Sequence, residues 1–180
     1  VHLMGAVHLC KAVWPHMVAQ KYGRILMTTS STGLYGNFGQ ANYGAAKLAQ
    51  VGLMQTLSIE GAKHDIRVNA LAPTAATRMT EGLLPPEVMD AIKPEAVVPA
   101  MLVAVSEQAP SRMIFAAGAG TYEAAHITLT QGVHLGLTPD TPERLLAALA
   151  QVADRAGETV PMSGAEQGTN EVKQALATRR

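Results

Sequence analysis

The 180-residue chain carries 14 basic and 14 acidic side chains, so its formal net charge is zero. That balance leaves no electrostatic footprint for nucleic acid or an anionic membrane surface. Apolar residues at 48% against 16% charged ones indicate an ordinary globular protein with a sizeable core, not a disordered chain. No apolar run is long enough to span a membrane, and no signal peptide is recognisable. The single cysteine, Cys10, excludes an internal disulfide framework and fits a reducing, cytoplasmic setting.

In chain order, residues 1–19 are helical, with Leu3, Val7, Cys10, Val13, Trp14 and Met17 spaced for one broad apolar face. Cys10 within that pattern reads as a buried structural thiol. Residues 24–29 form a short apolar strand opened by Gly23. The segment S-S-T-G-L-Y-G-N-F-G-Q-A-N-Y-G-A-A-K follows from Ser30 to Lys47, a glycine-bearing loop running into a long amphipathic helix over 41–62. Ile66 to Ala72 is the second strand, stopped by Pro73. Residues 79–99 hold four of the ten prolines (Pro85, Pro86, Pro94 and Pro99). A short helix from Pro99 to Glu107 and a third strand, Arg112 to Ala117, come next. Gly118-Ala119-Gly120 lacks the pattern of a phosphate cradle and reads as a turn after an edge strand. Thr141-Pro142-Glu143 is a helix start, with cap, proline in first position and acid in the first turn. That helix is expected to run through Leu145, Leu146, Leu149 and Val152 to Gly157. Residues 158–168 are linker-like and 169–180 form a polar terminal helix. The six histidines and Cys10 show no metal-ligand spacing, so no metal is expected.

Ser30 stands where a strand ends, and Tyr43 and Lys47 share one helix face four residues apart. Ligands of open α/β sheets bind outside the carboxyl ends of the strands. A free phenol gives up its proton only near pH 10. An ammonium about 4 Å away, at an effective dielectric near 20, favours the phenolate by roughly 4 kcal/mol. Lys47 is placed to supply that charge, which suits Tyr43 to general acid/base work. The Ser30 hydroxyl can hold the same substrate oxygen. Such a trio fits proton transfer at a carbonyl or alcohol oxygen, the proton half of a hydride transfer. A Tyr-Lys pair at this spacing is weak by itself, since an exposed tyrosine beside a solvated lysine looks the same. The preceding strand, Ser30 and the loop strengthen it.

G-R-I-L-M-T-T-S-S-T-G…G-N-F-G-Q-A-N-Y-G-A-A-K resembles the catalytic segment of the short-chain dehydrogenase/reductase family over about residues 1–120. The thirteen-residue step from Ser30 to Tyr43 and the four-residue step to Lys47 match that family's pattern. V-H-L-M-G, G-N-F-G-Q-A-N-Y and L-L-P-P-E-V-M resemble the (3R)-hydroxyacyl-CoA dehydrogenase branch of peroxisomal multifunctional enzymes and bacterial relatives.

The resemblance implies an α/β, Rossmann-type parallel sheet of which this chain holds the C-terminal part, three strands with flanking helices, plus a helical C-terminal tail. Residues 1–120 would be the dehydrogenase part and 121–180 the extension. It implies NAD or NADP as cofactor, bound by Tyr43, Lys47, Pro73, Thr74, Ala76 and Thr77. Ser30, Thr32 and Gln40 would meet a small-molecule or acyl-CoA substrate, under a cover supplied by residues 79–99. Thr74 stands where the family usually has glycine. Thr77 has a competing reading, with Thr80, as a helix cap. His2 stands where most members carry a relay asparagine. It is either an assistant to the proton relay or a structural residue. The helices at 1–19 and 41–62 would form a homodimer or homotetramer interface. Two rival readings stay open: a non-catalytic dimerising fragment, and a carbonyl reductase of the same family acting on steroids or small alcohols. The choice between NAD and NADP is not readable, because no residue after a second upstream strand is present to sense the 2′-phosphate.

Overall fold

The computed structural model describes residues 1–77 and 84–178. The chain divides into two compact units, Val1–Ala125 and His126–Arg180. The first is a four-stranded sheet in the order β1 (Gly23–Thr28), β2 (Ile66–Pro73), β3 (Ile114–Gly118) and β4 (Thr121–Ala125). β1, β2 and β3 run parallel and β4 is antiparallel to β3. Helices α1 (His2–Gln20) and α3 (Ala41–Gly61) precede and follow β1, with the short α2 (Ser31–Tyr35) between them. After β2 come α4 (Pro86–Ala91), a 3-10 turn at Pro94–Val97 and α5 (Val98–Val105). This is the mostly parallel, helix-flanked sheet of a Rossmann-type fold.

β2 is the spine. It pairs on both sides, and its burial is near-continuous, as expected of a strand covered on two faces. Val68 and Ala70 belong to a core packed by Cys10, Met27, Val51 and Met54 from α1, β1 and α3. Leu71 belongs to a second core with Val97, Ala100, Ala104 and Phe115. α1 meets the first core through Cys10, with Trp14, Met17 and Val18 partly buried beside it. Val13, expected on that face, is exposed, as are Met4 and Leu9. Burial pushes the Cys10 thiol above its ordinary value, which keeps it protonated and unreactive.

Arg24 ties the start of β1 to its neighbours. Its guanidinium donates to the carbonyls of Asp65, Ser106 and Glu107 and to the Asp65 carboxylate. The Arg24 hydrogen bond, with help from Arg67, holds the exposed Asp65 carboxyl below its usual range.

Three expectations are corrected. First, residues 121–125, expected with the helical extension, form β4, so β3 is not an edge strand. The hairpin turns on Ala119 and Gly120, both at positive φ (51° and 74°), the geometry that matches the twist of paired strands. β4 is mostly exposed and lacks an apolar run, which is why its sequence, T-Y-E-A-A, is silent. Second, the loop after β1 contains α2. Third, in the second unit the helix opened at Thr141 stops at Ala147 and resumes as α7 (Leu149–Val152). Asp140 is its cap residue, while the Thr141 hydroxyl oxygen accepts from the Thr138 N–H. The linker-like stretch is tied down by a two-way bridge between Leu129 and Thr159. The terminal helix α8 begins at Ala165, where Glu166 accepts from the Met162 N–H.

Two interior positions generate measurable consequences. Asn69 is fully buried; its amide donates to the Ala104 and Pro110 carbonyls, and its oxygen accepts from the Met113 N–H. Asn69→Ala strands all three main-chain groups and should cost about 2–4 kcal/mol, read from urea unfolding. At Gly33, an added Cβ would lie 2.7 Å from the Lys47 Cβ and 3.0 Å from α3 backbone. Gly33→Ala gains about 1 kcal/mol of helix propensity but overpacks the contact by about 1–3 kcal/mol. The balance should be destabilising, seen as a lowered melting temperature.

Candidate active site

β1 and β2 deliver two chain segments side by side at their carboxyl ends. Thr28 and Leu71 are partners in the ladder, and the Thr29 N–H continues it by donating to the Leu71 carbonyl at 2.8 Å. Ser30 follows β1, and Pro73 to Thr77 follow β2. The sheet therefore places both sequence-derived groups at one edge of the fold, where parallel strands offer a ligand site.

Ser30 caps α2. Its Oγ accepts from the Thr32 N–H at 3.2 Å, which uses one acceptor position of the hydroxyl and leaves the O–H to donate. α2 then lies against α3. Gly33 abuts Lys47, and the Thr32 carbonyl lies 3.2 Å from the position a Cβ of Gly44 would take. Gly33 and Gly44 are small because two backbones meet there.

Lys47 is buried at 7% exposure. Its ammonium donates to the Thr28 carbonyl at 2.7 Å, leaving two further N–H groups. The Thr29 hydroxyl returns a bond to the Lys47 carbonyl at 2.8 Å. Lys47 is thus fastened at both ends, to the last residue of β1 and to the one after it. Its Nζ lies 5.6 Å from the centre of the half-buried Tyr43 ring, within cation–π range. His2, at the start of α1, meets the same ring edge-on, with centroids 5.6 Å apart and planes at 85°. Tyr43, Lys47 and His2 are therefore gathered, with the Ser30 segment packed against the same turns of α3.

The other sequence-derived residues are placed less directly. The Thr32 hydroxyl donates to Gln40 Oε1 at 2.9 Å, so these two brace each other across the loop. Thr74 is exposed and its N–H donates to the Ala117 carbonyl at 2.8 Å. The Ala76 N–H donates to the Ile92 carbonyl at 2.7 Å, which ties the segment after β2 to α4. Thr77 is exposed. Thr80 and the first part of the 79–99 cover lie outside the described residues. Among the described residues no group of three His, Cys, Asp or Glu side chains could hold a metal ion.

A cofactor's nicotinamide half fits this chemistry: an ammonium and a phenol for ribose hydroxyls, and the segment after β2 for an amide. No glycine-rich strand-to-helix turn that would cradle phosphates occurs among the described residues. Sequence reasoning passed over Thr28, Thr29 and Gln50, whose contributions are a carbonyl, a hydroxyl turned inward and a carboxamide to the His2 carbonyl. Only Gln50 left a signal, as a polar residue in an apolar helix stripe.

Residues 1–87 match the family described as short chain dehydrogenase. A short-chain type dehydrogenase/reductase of Mycobacterium tuberculosis is 43% identical over 89% of this chain and 56% of its own length. The peroxisomal hydratase-dehydrogenase-epimerase of Saccharomyces cerevisiae is 44% identical over 86% of this chain and 17% of its own. Among solved structures, full-length peroxisomal multifunctional enzyme type 2 from Drosophila melanogaster superposes with a TM-score of 0.85 at 31% identity, over 99% of this chain and 33% of that one. The chain thus spans little more than half of the mycobacterial relative and smaller parts of the other two. With the matching sheet, the Ser-Tyr-Lys spacing and these relatives, the chain is similar to the short-chain dehydrogenase/reductase family.

Proposed function

We propose that this chain carries the catalytic half-site of an oxidoreductase that moves a hydride between NAD or NADP and a hydroxy or keto carbon. The observation that carries the reading is the buried Lys47, anchored on the Thr28 carbonyl with its charge beside the Tyr43 ring. In this reading Tyr43 gives a proton to, or takes one from, the substrate oxygen. Lys47 sets its positive charge beside the phenol and also holds the cofactor's ribose. Ser30 donates its free O–H to the same substrate oxygen, and His2 passes the proton onward to solvent. Pro73, Thr74, Ala76 and Thr77 border the nicotinamide, and Thr32 and Gln40 border the substrate. The cofactor, when bound, supplies the hydride chemistry.

The substrate we assign is 3-hydroxyacyl-CoA-like. Support comes from relatives named as hydratase-dehydrogenase-epimerase and multifunctional enzyme. We assign the homo-oligomer interface to α1 and α3, where Met4, Leu9, Leu48 and Ile59 are exposed. No helix among the described residues is long and apolar enough to cross a membrane, and we place the protein in a reducing compartment, the cytoplasm. A second reading, a non-catalytic dimerising piece, draws on those exposed apolar side chains and on the place of β1 at the end of the strand order among the described residues.

Two measurements separate the readings. Titration of the chain with NADH and NADPH should give saturable changes in nicotinamide fluorescence, whereas no binding favours the non-catalytic reading. In an active preparation Tyr43→Phe should cut turnover by about a hundredfold or more; near-full activity refutes the assignment of Tyr43.

A further inference from the structure

We infer that Gln50 is a positioning residue that holds His2 against Tyr43; the inference rests on the catalytic reading of Tyr43 given above. Tyr43, Lys47 and Gln50 stand at i, i+4 and i+7 of α3 and so share one stripe. One turn further on, that stripe carries the fully buried Met54. Gln50 itself is only 4% exposed. A carboxamide in such a place is unfavourable unless it is hydrogen-bonded. The bond it makes is distant in sequence: Nε2 donates to the main-chain carbonyl of His2 at 2.8 Å.

That carbonyl lies in the first turn of α1, where helix geometry already points an N–H at it from four residues on. The Gln50 amide takes its second acceptor position. Satisfying the helix does not require the bond. Its effect is to fasten the start of α1 to α3, one turn beyond Lys47. The fastened residue is the one whose imidazole meets the Tyr43 ring edge-on. A buried amide therefore decides where an exposed imidazole stands relative to the proposed proton donor. His2 is the exposed end of a path that begins at Tyr43, and Gln50 keeps that path assembled between turnovers.

Histidine- and glutamine-labelled chain tests this by nuclear magnetic resonance, without any turnover. The His2 ring signals, identified by their loss in His2→Gln, should carry a ring-current displacement that disappears in Tyr43→Leu. Gln50→Met keeps the volume and removes the donor. It should remain folded by circular dichroism and lose most of that displacement. A folded Gln50→Met that keeps the full displacement overturns the inference. If that variant does not fold, the wild-type chain decides: nuclear Overhauser contacts between the Gln50 carboxamide protons and the His2 α proton support the bond, and their absence overturns it. In an active preparation Gln50→Met should lower kcat roughly tenfold with KM for the dinucleotide unchanged, and a wild-type kcat overturns the positioning role. Tyr43→Phe keeps the ring and its displacement. Failure of the catalytic reading therefore shows separately, as full Tyr43→Phe turnover with the His2 signature intact.

Discussion

The contact between the Lys47 ammonium and the Thr28 carbonyl is the constraint on which the rest of the first unit depends. A buried ammonium is costly to remove from water unless its protons find acceptors. Here one acceptor is the last carbonyl of β1, a group whose place is fixed by the β1–β2 ladder. The charge is thereby referred to the sheet and not to a mobile side chain. The Thr29 hydroxyl on the Lys47 carbonyl locks the same turn of α3 from the other end. Gly33 permits the approach, since any larger residue would separate α2 from α3. Ser30 is then carried to the site as a consequence, because it lies between Thr29 and the helix that Gly33 seats.

This arrangement explains why the spacing from serine to tyrosine is wide and that from tyrosine to lysine narrow. The narrow step is set by one helical turn. The wide one has to accommodate a strand end, the short helix α2, and the Gly36–Gln40 loop before α3 begins. Gly36 and Gly39 both stand at positive φ (80° and 75°), so the loop bends where glycine allows it. Thr32 and Gln40 close it by bonding to each other. Local chain chemistry thus sets the path of the chain from the end of β1 to the start of α3.

Much of this was legible in the sequence because it is written in local periodicity. The apolar run before Ser30, the long stripe of α3 and the run ending at Pro73 each name their element within one or two residues. β4 was not legible, since an exposed antiparallel strand needs no apolar pattern and its turn uses Ala119 at positive φ, which sequence alone does not announce. The break between α6 (Thr141–Ala147) and α7 was likewise hidden, for Ala148 is a good helix former. Of the site, the Ser-Tyr-Lys trio was visible as residue types at fixed steps. The parts supplied by main-chain carbonyls were not, because every residue carries one and only the fold selects Thr28 and His2.

Among the described residues, the five buried polar side chains share a habit that bears on how the site is kept in register. Thr29, Lys47, Gln50, Ser58 and Asn69 all donate to main-chain carbonyls. A side-chain acceptor would have to be ordered by its own packing, at a further loss of rotamer freedom. A carbonyl in a strand or helix is already placed by its ladder. Each such bond therefore transmits the position of one backbone segment to another with one side chain immobilised instead of two. Asn69 does so between β2, α5 and the segment before β3, Lys47 between α3 and β1, and Gln50 between α3 and α1. The last two lie within one turn of each other on one helix. The elements that carry His2 and Ser30 are thus both registered against the same stretch of α3.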